Sequence, residues 1–128
     1  MKIIKKTEVE NLIRAGLLQQ AQHEVLRLAQ HKNSRADRLQ IAHWARRTGL
    51  EQITLRLLHH HARALENPTT TELTEYAMAL IRQGFFMEAH EILSRPIVAK
   101  SETFNLFRGF AYIYQWDYES ARPFIAKY

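Results

Sequence analysis

The sequence predicts an all-α fold of about four stacked helix pairs, and three observations lead there. The first is a repeat. GLLQQA begins at Gly16, GLEQIT at Gly49, GFFMEA at Gly84 and WDYESA at Trp116, so the intervals are 33, 35 and 32 residues. A period near 34 belongs to helix–turn–helix units that stack on their neighbours. The second is a pattern of small residues around those turns. Ala21, Thr54, Ala89 and Ala121 lie five residues after each turn, and Val9, Ala42, Ala77 and Gly109 lie seven before it. Small side chains at both places let the two helices of a pair approach closely, whereas an up-down bundle gives no reason for the recurrence. The third is composition: 4 glycines and 3 prolines leave little room for the many turns of a strand sandwich.

Length and composition bound the rest. A chain of 128 residues reads as one domain, 1–128, able to bury roughly two-thirds of the surface its unfolded form exposes. Hydrophobic content of 46% beside 24% charged residues is ordinary for a folded domain and excludes disorder. Lys and Arg number 18 against 13 Asp and Glu, a net charge of +5 spread along the chain without a block of like charges. Such a balance slightly favours an acidic partner and does not by itself identify nucleic acid. The absence of cysteine removes disulfides, thiol catalysis and cysteine-bound zinc together. MKIIKKTEVENLIRAG lacks the apolar run of roughly seven residues that a secretory leader needs, so none is expected. No stretch approaches the roughly 18 apolar residues of a membrane span, and the expected location is the cytoplasm.

The first pair covers about residues 6–31. Thr7-Glu8-Val9-Glu10 has the form of a capping box. Val9, Leu12 and Ile13 form a short apolar face that ends at Gly16, and Leu17, Leu18, Ala21, Val25, Leu26 and Leu28 recur at helical spacing behind it. In the second pair, about 34–65, Ser34 with Asp37 supplies the cap. Leu39, Ile41, Ala42, Trp44 and Ala45 precede Gly49, and Leu50, Ile53, Leu55, Leu57, Leu58 and Leu65 follow it. Residues 66–71, ENPTTT, are the clearest loop: Pro68 stops one helix and a threonine caps the next.

The third pair, about 70–95, sets Leu73, Tyr76, Ala77 and Leu80 before Gly84 and Phe85, Phe86, Ala89, Ile92 and Leu93 after it. Arg95-Pro96 ends it. The fourth, about 101–128, is capped by Ser101 and carries Phe104, Leu106, Phe107, Phe110, Tyr112 and Ile113, and Asp117 caps a last helix from Tyr118. Pro123 sits about six residues into that helix, where it costs roughly 3 kcal/mol or forces a kink. No polar closing helix follows Ala121 and Phe124, which reads as a fragment of a longer protein or as a module whose open end meets a partner.

Tyr76-Ala77 through Leu93, with Gly84, Phe86 and Ala89, resembles the tetratricopeptide repeat, as do Gly109-Phe110-Ala111-Tyr112, Asp117-Tyr118 and Ala121. Asn67-Pro68 after Ala64-Leu65 is similar to that family's repeat-closing turn. The match is good in the last two pairs, degenerate from Gly49 to Leu65 and weak in the first; Trp116 replaces the turn glycine and Pro123 is foreign to the pattern. Pentatricopeptide RNA-binding repeats look similar, but the mixed spacing favours the tetratricopeptide type. The resemblance implies a right-handed α-solenoid of antiparallel helix pairs whose first helices line a concave groove. It also implies a protein-binding role as scaffold, chaperone or regulatory domain, since a fold alone names no ligand.

Catalytic and metal chemistry find little support. His59-His60-His61 cannot converge on one ion, because neighbours in a helix project about 100° apart, and no histidine has another four residues away. His23-Glu24 and His90-Glu91 begin the zincin pattern, but Arg27 and Ser94 stand where the second histidine belongs. No nucleophile elbow and no glycine-rich phosphate loop occurs. Glu72/Glu75 and Glu88/Glu91 sit in first turns, where they complement the helix dipole. A non-enzymatic chain without metal or cofactor is expected.

The candidate site lies on the first helices. Arg14, Arg47, Arg82 and Tyr114 stand two residues before the turns; His43, Met78 and Phe110 stand six before; Gln40, Glu75 and Phe107 stand nine before. Equivalent positions of a solenoid form columns, so the groove would be basic at its start and aromatic at its end. Arg47 and Arg82 are expected to be open to a carboxylate-bearing ligand. The plainer account is that a cation in a helix's last turn complements the dipole and that the aromatics bury against a further repeat. The leading reading is a module binding a peptide or helix, acidic with an apolar anchor. Rival readings are a basic RNA- or DNA-associated module, or a regulatory segment of a larger transcription or secretion protein. Self-association through the C-terminal pair, by an exposed face carrying Phe124, is a further expectation.

Overall fold

Four turns of the chain share one set of hydrogen bonds. The amides of Leu17, Leu50, Phe85 and Asp117 donate to the carbonyls of Leu12, Ala45, Leu80 and Tyr112 at 3.0, 2.8, 2.8 and 2.8 Å. One residue earlier, Gly16, Gly49, Gly84 and Trp116 donate to Ile13, Arg46, Ile81 and Ile113. This is the Schellman closure of a helix, in which the residue after the cap turns left-handed and its neighbours satisfy the last carbonyls. The φ values at those positions are 76°, 86°, 87° and 65°. Glycine reaches that region without steric cost. Trp116 adopts it with a side chain, so backbone geometry is repeated even where the glycine is not.

The structure is a computed structural model describing residues 6–63, 67–99 and 102–125. Each Schellman turn joins two helices: α1 (Lys6–Arg14) to α2 (Leu18–Ala29), α3 (Arg35–Arg47) to α4 (Glu51–Arg63), α5 (Thr70–Arg82) to α6 (Phe86–Leu93), and α8 (Glu102–Tyr114) to α9 (Tyr118–Ile125). A four-residue helix, α7 (Pro96–Ala99), lies between the third and fourth pairs. Pro96 opens it, at the helix position where a missing amide costs nothing. This helix is not expected from the sequence, where Arg95-Pro96 ends the third pair. No strand occurs among the described residues.

The caps follow the local chemistry. Ser34 Oγ accepts from the Asp37 amide at 3.2 Å. Thr69 and Glu72 form a complete capping box, with bonds of 3.1 and 2.9 Å in the two directions. Asp117 Oδ1 accepts from the Ser120 amide at 3.2 Å and starts α9. The side chain of Thr7, expected to cap α1, lies outside what the structure describes, and both Glu10 carboxylate oxygens bond to α3. α9 runs through Pro123 to Ile125 rather than stopping before it. Asn67 takes φ 53° beside Pro68, a conformation asparagine tolerates. Leu65, Ser101 and Tyr128 lie outside the described residues.

The small residues sit at the helix contacts. Ala21, Thr54, Ala89 and Ala121 after the turns are buried, as are Val9, Ala42, Ala77 and Gly109 before them. Thr54 Oγ1 donates to the Ala42 carbonyl at 2.7 Å, tying α4 to α3 at that contact. At Gly109 a Cβ would stand 2.5 Å from Ile125 Cδ1, so glycine is what lets α9 lie against α8.

The chain groups into two compact units, Met1–Leu58 and His59–Tyr128, divided within α4. In the first unit Val9, Val25, Leu28, Ile41, Trp44 and Ala45 form one core, with Ile13, Leu50, Ile53 and Leu57 packed on it. Each large apolar side chain buried there contributes about 1.5–3 kcal/mol. Leu17, Leu18 and Leu26, expected on the inner face of α2, are exposed; the helix buries Ala21, Val25 and Leu28 instead. In the second unit α5 packs on α6 and α8, α6 on α8, and α8 on α9, with α7 against the first three. Leu73, Tyr76, Leu80, Ile81, Ile92, Leu93 and Val98 are among its buried apolar residues. Phe85, expected to line α6, is half exposed at the turn.

Candidate binding surface

In the first unit the candidate residues gather around a carboxylate. Trp44 is fully buried in the core, and a buried indole needs an acceptor. Its Nε1 donates to Glu10 Oε2 at 3.0 Å. The other oxygen, Oε1, accepts from Arg47 Nη1 at 3.0 Å in an ion pair. The Trp44 bond is the largest influence holding the Glu10 carboxyl below its ordinary range. The charges of Arg47 and Arg14 act in the same direction, and partial burial opposes them. The Arg47 side chain remains 35% exposed. Its first carboxylate nevertheless comes from its own chain, which corrects the expectation of an unpaired guanidinium. The cause is visible in the register: Glu10 stands six residues before one turn and Arg47 two before the next. Neighbouring columns thus place them side by side. Arg14 is exposed, Gln40 and His43 are half-buried, and His43 has a partner.

In the second unit Glu75 and Met78 are half-buried and Arg82 is exposed; neither Glu75 nor Arg82 is without a partner. Phe107 and Phe110 are half-buried, and Tyr114 is 48% exposed. Positions two, six and nine residues before the turns therefore keep solvent access in every case described, while the positions seven before are buried.

A second set of rings runs through the same unit. The Arg108 guanidinium lies 5.4 Å from the Phe124 centroid. Phe124 stacks on Tyr112 at 5.8 Å, and Tyr112 meets the His90 ring at 4.3 Å. His90 Nε2 donates to Gln115 Oε1 at 2.9 Å. Phe124 is thus engaged within its own chain, against the expectation that its face would be open. The apolar side chains left in water around the last turn are Ile113, Tyr114, Trp116 and Tyr118, with Trp116 79% exposed. Periodicity marks these as apolar but does not say that nothing covers them.

The three adjacent histidines have separate surroundings. His59 Nδ1 is 3.1 Å from the Tyr76 hydroxyl, and His60 and His61 meet edge to face. Among the described residues no group of three or more histidine, aspartate or glutamate side chains comes together in a way that could hold a metal ion. No helix among them is long and apolar enough to cross a membrane. No protein-family model, curated protein or solved structure matches this sequence.

Proposed function

We propose that the chain is a non-enzymatic protein-interaction module. It would be a right-handed α-solenoid of the tetratricopeptide type, whose antiparallel pairs present their first helices to a peptide or helix of another protein. One observation carries this reading: among the described residues, the first helices have a buried edge seven residues before each turn and solvent-accessible positions two, six and nine before it. These positions keep Met78, Phe110 and Tyr114 in contact with water beside Arg82. Apolar side chains held open on a rigid helix are the kind of surface that anchors a ligand, and aromatic anchors tend to dominate affinity. An acidic peptide with one apolar anchor fits that mixture.

The test is selection from a random peptide library on the full chain, with Phe110→Ala/Tyr114→Ala and Arg82→Glu variants as counter-selections. Enriched peptides should carry a carboxylate and an aromatic or aliphatic anchor, and should bind either variant about tenfold more weakly at unchanged thermal stability. No enrichment, or binding indifferent to both variants, would sink the proposal. A second reading, association with RNA or DNA, is favoured by the 11 basic against 5 acidic residues of the first unit, Met1–Leu58. Its mark would be affinity that falls steeply and linearly with the logarithm of salt concentration.

A further inference from the structure

Three of the four turns place glycine at the position that needs positive φ, and the fourth places Trp116 there, at 65°. A side chain in that region strains the backbone, and such strain is kept where something other than folding uses the residue. Folding makes little use of this one, because Trp116 is 79% exposed. Its backbone is nonetheless held on both sides. His90 Nε2 bonds Gln115 Oε1 at 2.9 Å, and the Asp117 amide donates to the Tyr112 carbonyl at 2.8 Å. Asp117 Oδ1 then accepts from the Ser120 amide at the start of α9. An indole is thus displayed to water on a fixed turn.

The neighbours of that indole are aromatic and acidic. Tyr118, 56% exposed, stands 6.2 Å from Trp116 with the ring planes at 88°. The two rings steady one another and keep most of their surface in water. Asp117 and Glu119, both exposed, bring two negative charges to the same turn. The nearest cation along the chain, Arg122, lines a cleft with Ile113, Tyr118, Ala121 and Ile125 that does not include Trp116. The face of an aromatic ring carries negative potential, and tryptophan holds a cation best. Carboxylates beside it add to the attraction. The same unit already makes this kind of contact internally, with the Arg108 guanidinium 5.4 Å from the Phe124 centroid.

We propose that the Trp116–Tyr118 turn is a binding site for a cationic side chain, the guanidinium or ammonium of a basic segment of another protein. The cation lies over the open indole face, and Asp117 and Glu119 supply the counter-charge. Charge selects this occupant: the same carboxylates repel an acidic segment and gain nothing from a purely apolar one. Because the turn is already fixed, binding orders the partner alone. The chain as a whole carries +5, so a basic ligand is drawn to this turn by local complementarity and not by net charge. None of the first-helix positions takes part, and the ligand has the opposite charge to the one proposed for them, so either reading can fail alone.

The probes are dye-labelled decapeptides alternating glycine with arginine, with lysine and with glutamate, titrated with the full chain at low salt. The arginine and lysine peptides should bind saturably, and the glutamate peptide should not. Unlabelled, the two basic peptides should also change the tryptophan emission, which reports Trp116 because Trp44 is buried. By anisotropy, Trp116→Gly should bind about fivefold more weakly, with a melting temperature no lower than that of the wild type. Glu119→Gln should weaken binding about twofold. Failure of both basic peptides to bind, equal binding of the glutamate peptide, or affinity indifferent to Trp116→Gly overturns the proposal. So does a Trp116→Gly chain that melts lower, because the tryptophan then serves the fold. Vesicles of phosphatidylcholine provide the last arm: if they shift the emission to shorter wavelength and the basic peptides do not bind, the rings contact lipid and the proposal fails.

Discussion

Glu10 illustrates how one residue serves two levels of structure. Its local sequence offers it to a capping box, and its tertiary neighbours claim it for Trp44 and Arg47. A buried indole without an acceptor costs the full desolvation of its N–H, and Glu10 supplies that acceptor. Glu10→Gln keeps an acceptor for Trp44 and removes the charge; it should destabilise by about 1 kcal/mol at neutral pH. Folding lowers the pKa of this carboxyl. Its stabilising contribution is therefore complete above the ordinary glutamate range and is lost as pH falls through the depressed value. Urea titrations of wild type and variant should differ at neutral pH and converge in acid. Equal stability at neutral pH would mean the carboxylate's charge contributes nothing. Trp116 is the opposite case, a residue whose backbone is strained while its side chain buries little. A left-handed conformation costs a residue with a Cβ about 1–2 kcal/mol. Trp116→Gly should raise stability by about 1 kcal/mol, once glycine's extra unfolded-state freedom is subtracted. A lower melting temperature would show that the indole packs better than its exposure indicates.

The helix pair is the level at which the sequence is most legible. Its turn needs positive φ, its contact needs small residues, and both requirements restrict composition at fixed offsets. That is why the sequence alone places Gly84, Ala77 and Ala89, and why spacing alone marks Trp116 as a turn. Ala89→Leu should overpack the contact and cost about 1–3 kcal/mol; a change within about 0.5 kcal/mol, the scatter of ordinary surface substitutions, would count against a tight contact there. What depends on neighbouring pairs was harder to read. Leu17, Leu18 and Phe85 follow the apolar period, yet period reports a face and not its cover. α7 is too short to show periodicity, and Pro96 reads equally as a stop and as a first helical residue. Of the candidate site, the positions two, six and nine before each turn were legible as a repeating pattern. The Glu10–Arg47 pair was not, because it depends on how one column lies beside another.

At the scale of the molecule, each compact unit contains one tryptophan, and the two differ sharply in environment. Trp44 is buried in the core of the first unit, and Trp116 stands in water on the second. Indole emission shifts to longer wavelength on exposure to solvent, so Trp116 is already at its endpoint in the folded chain. Denaturation monitored by emission wavelength should therefore report Met1–Leu58 almost alone, whereas far-ultraviolet circular dichroism reports the helices of both units. A Trp44→Phe chain should emit like free tryptophan before and after unfolding; a shift on unfolding would contradict the exposure of Trp116. In the wild type, coincident midpoints by the two methods would mean that the units melt as one cooperative body. Separated midpoints would mean that α4, which spans the division between them, transmits little of either unit's stability to the other. The chain thus has a built-in optical probe that distinguishes its two halves without a label.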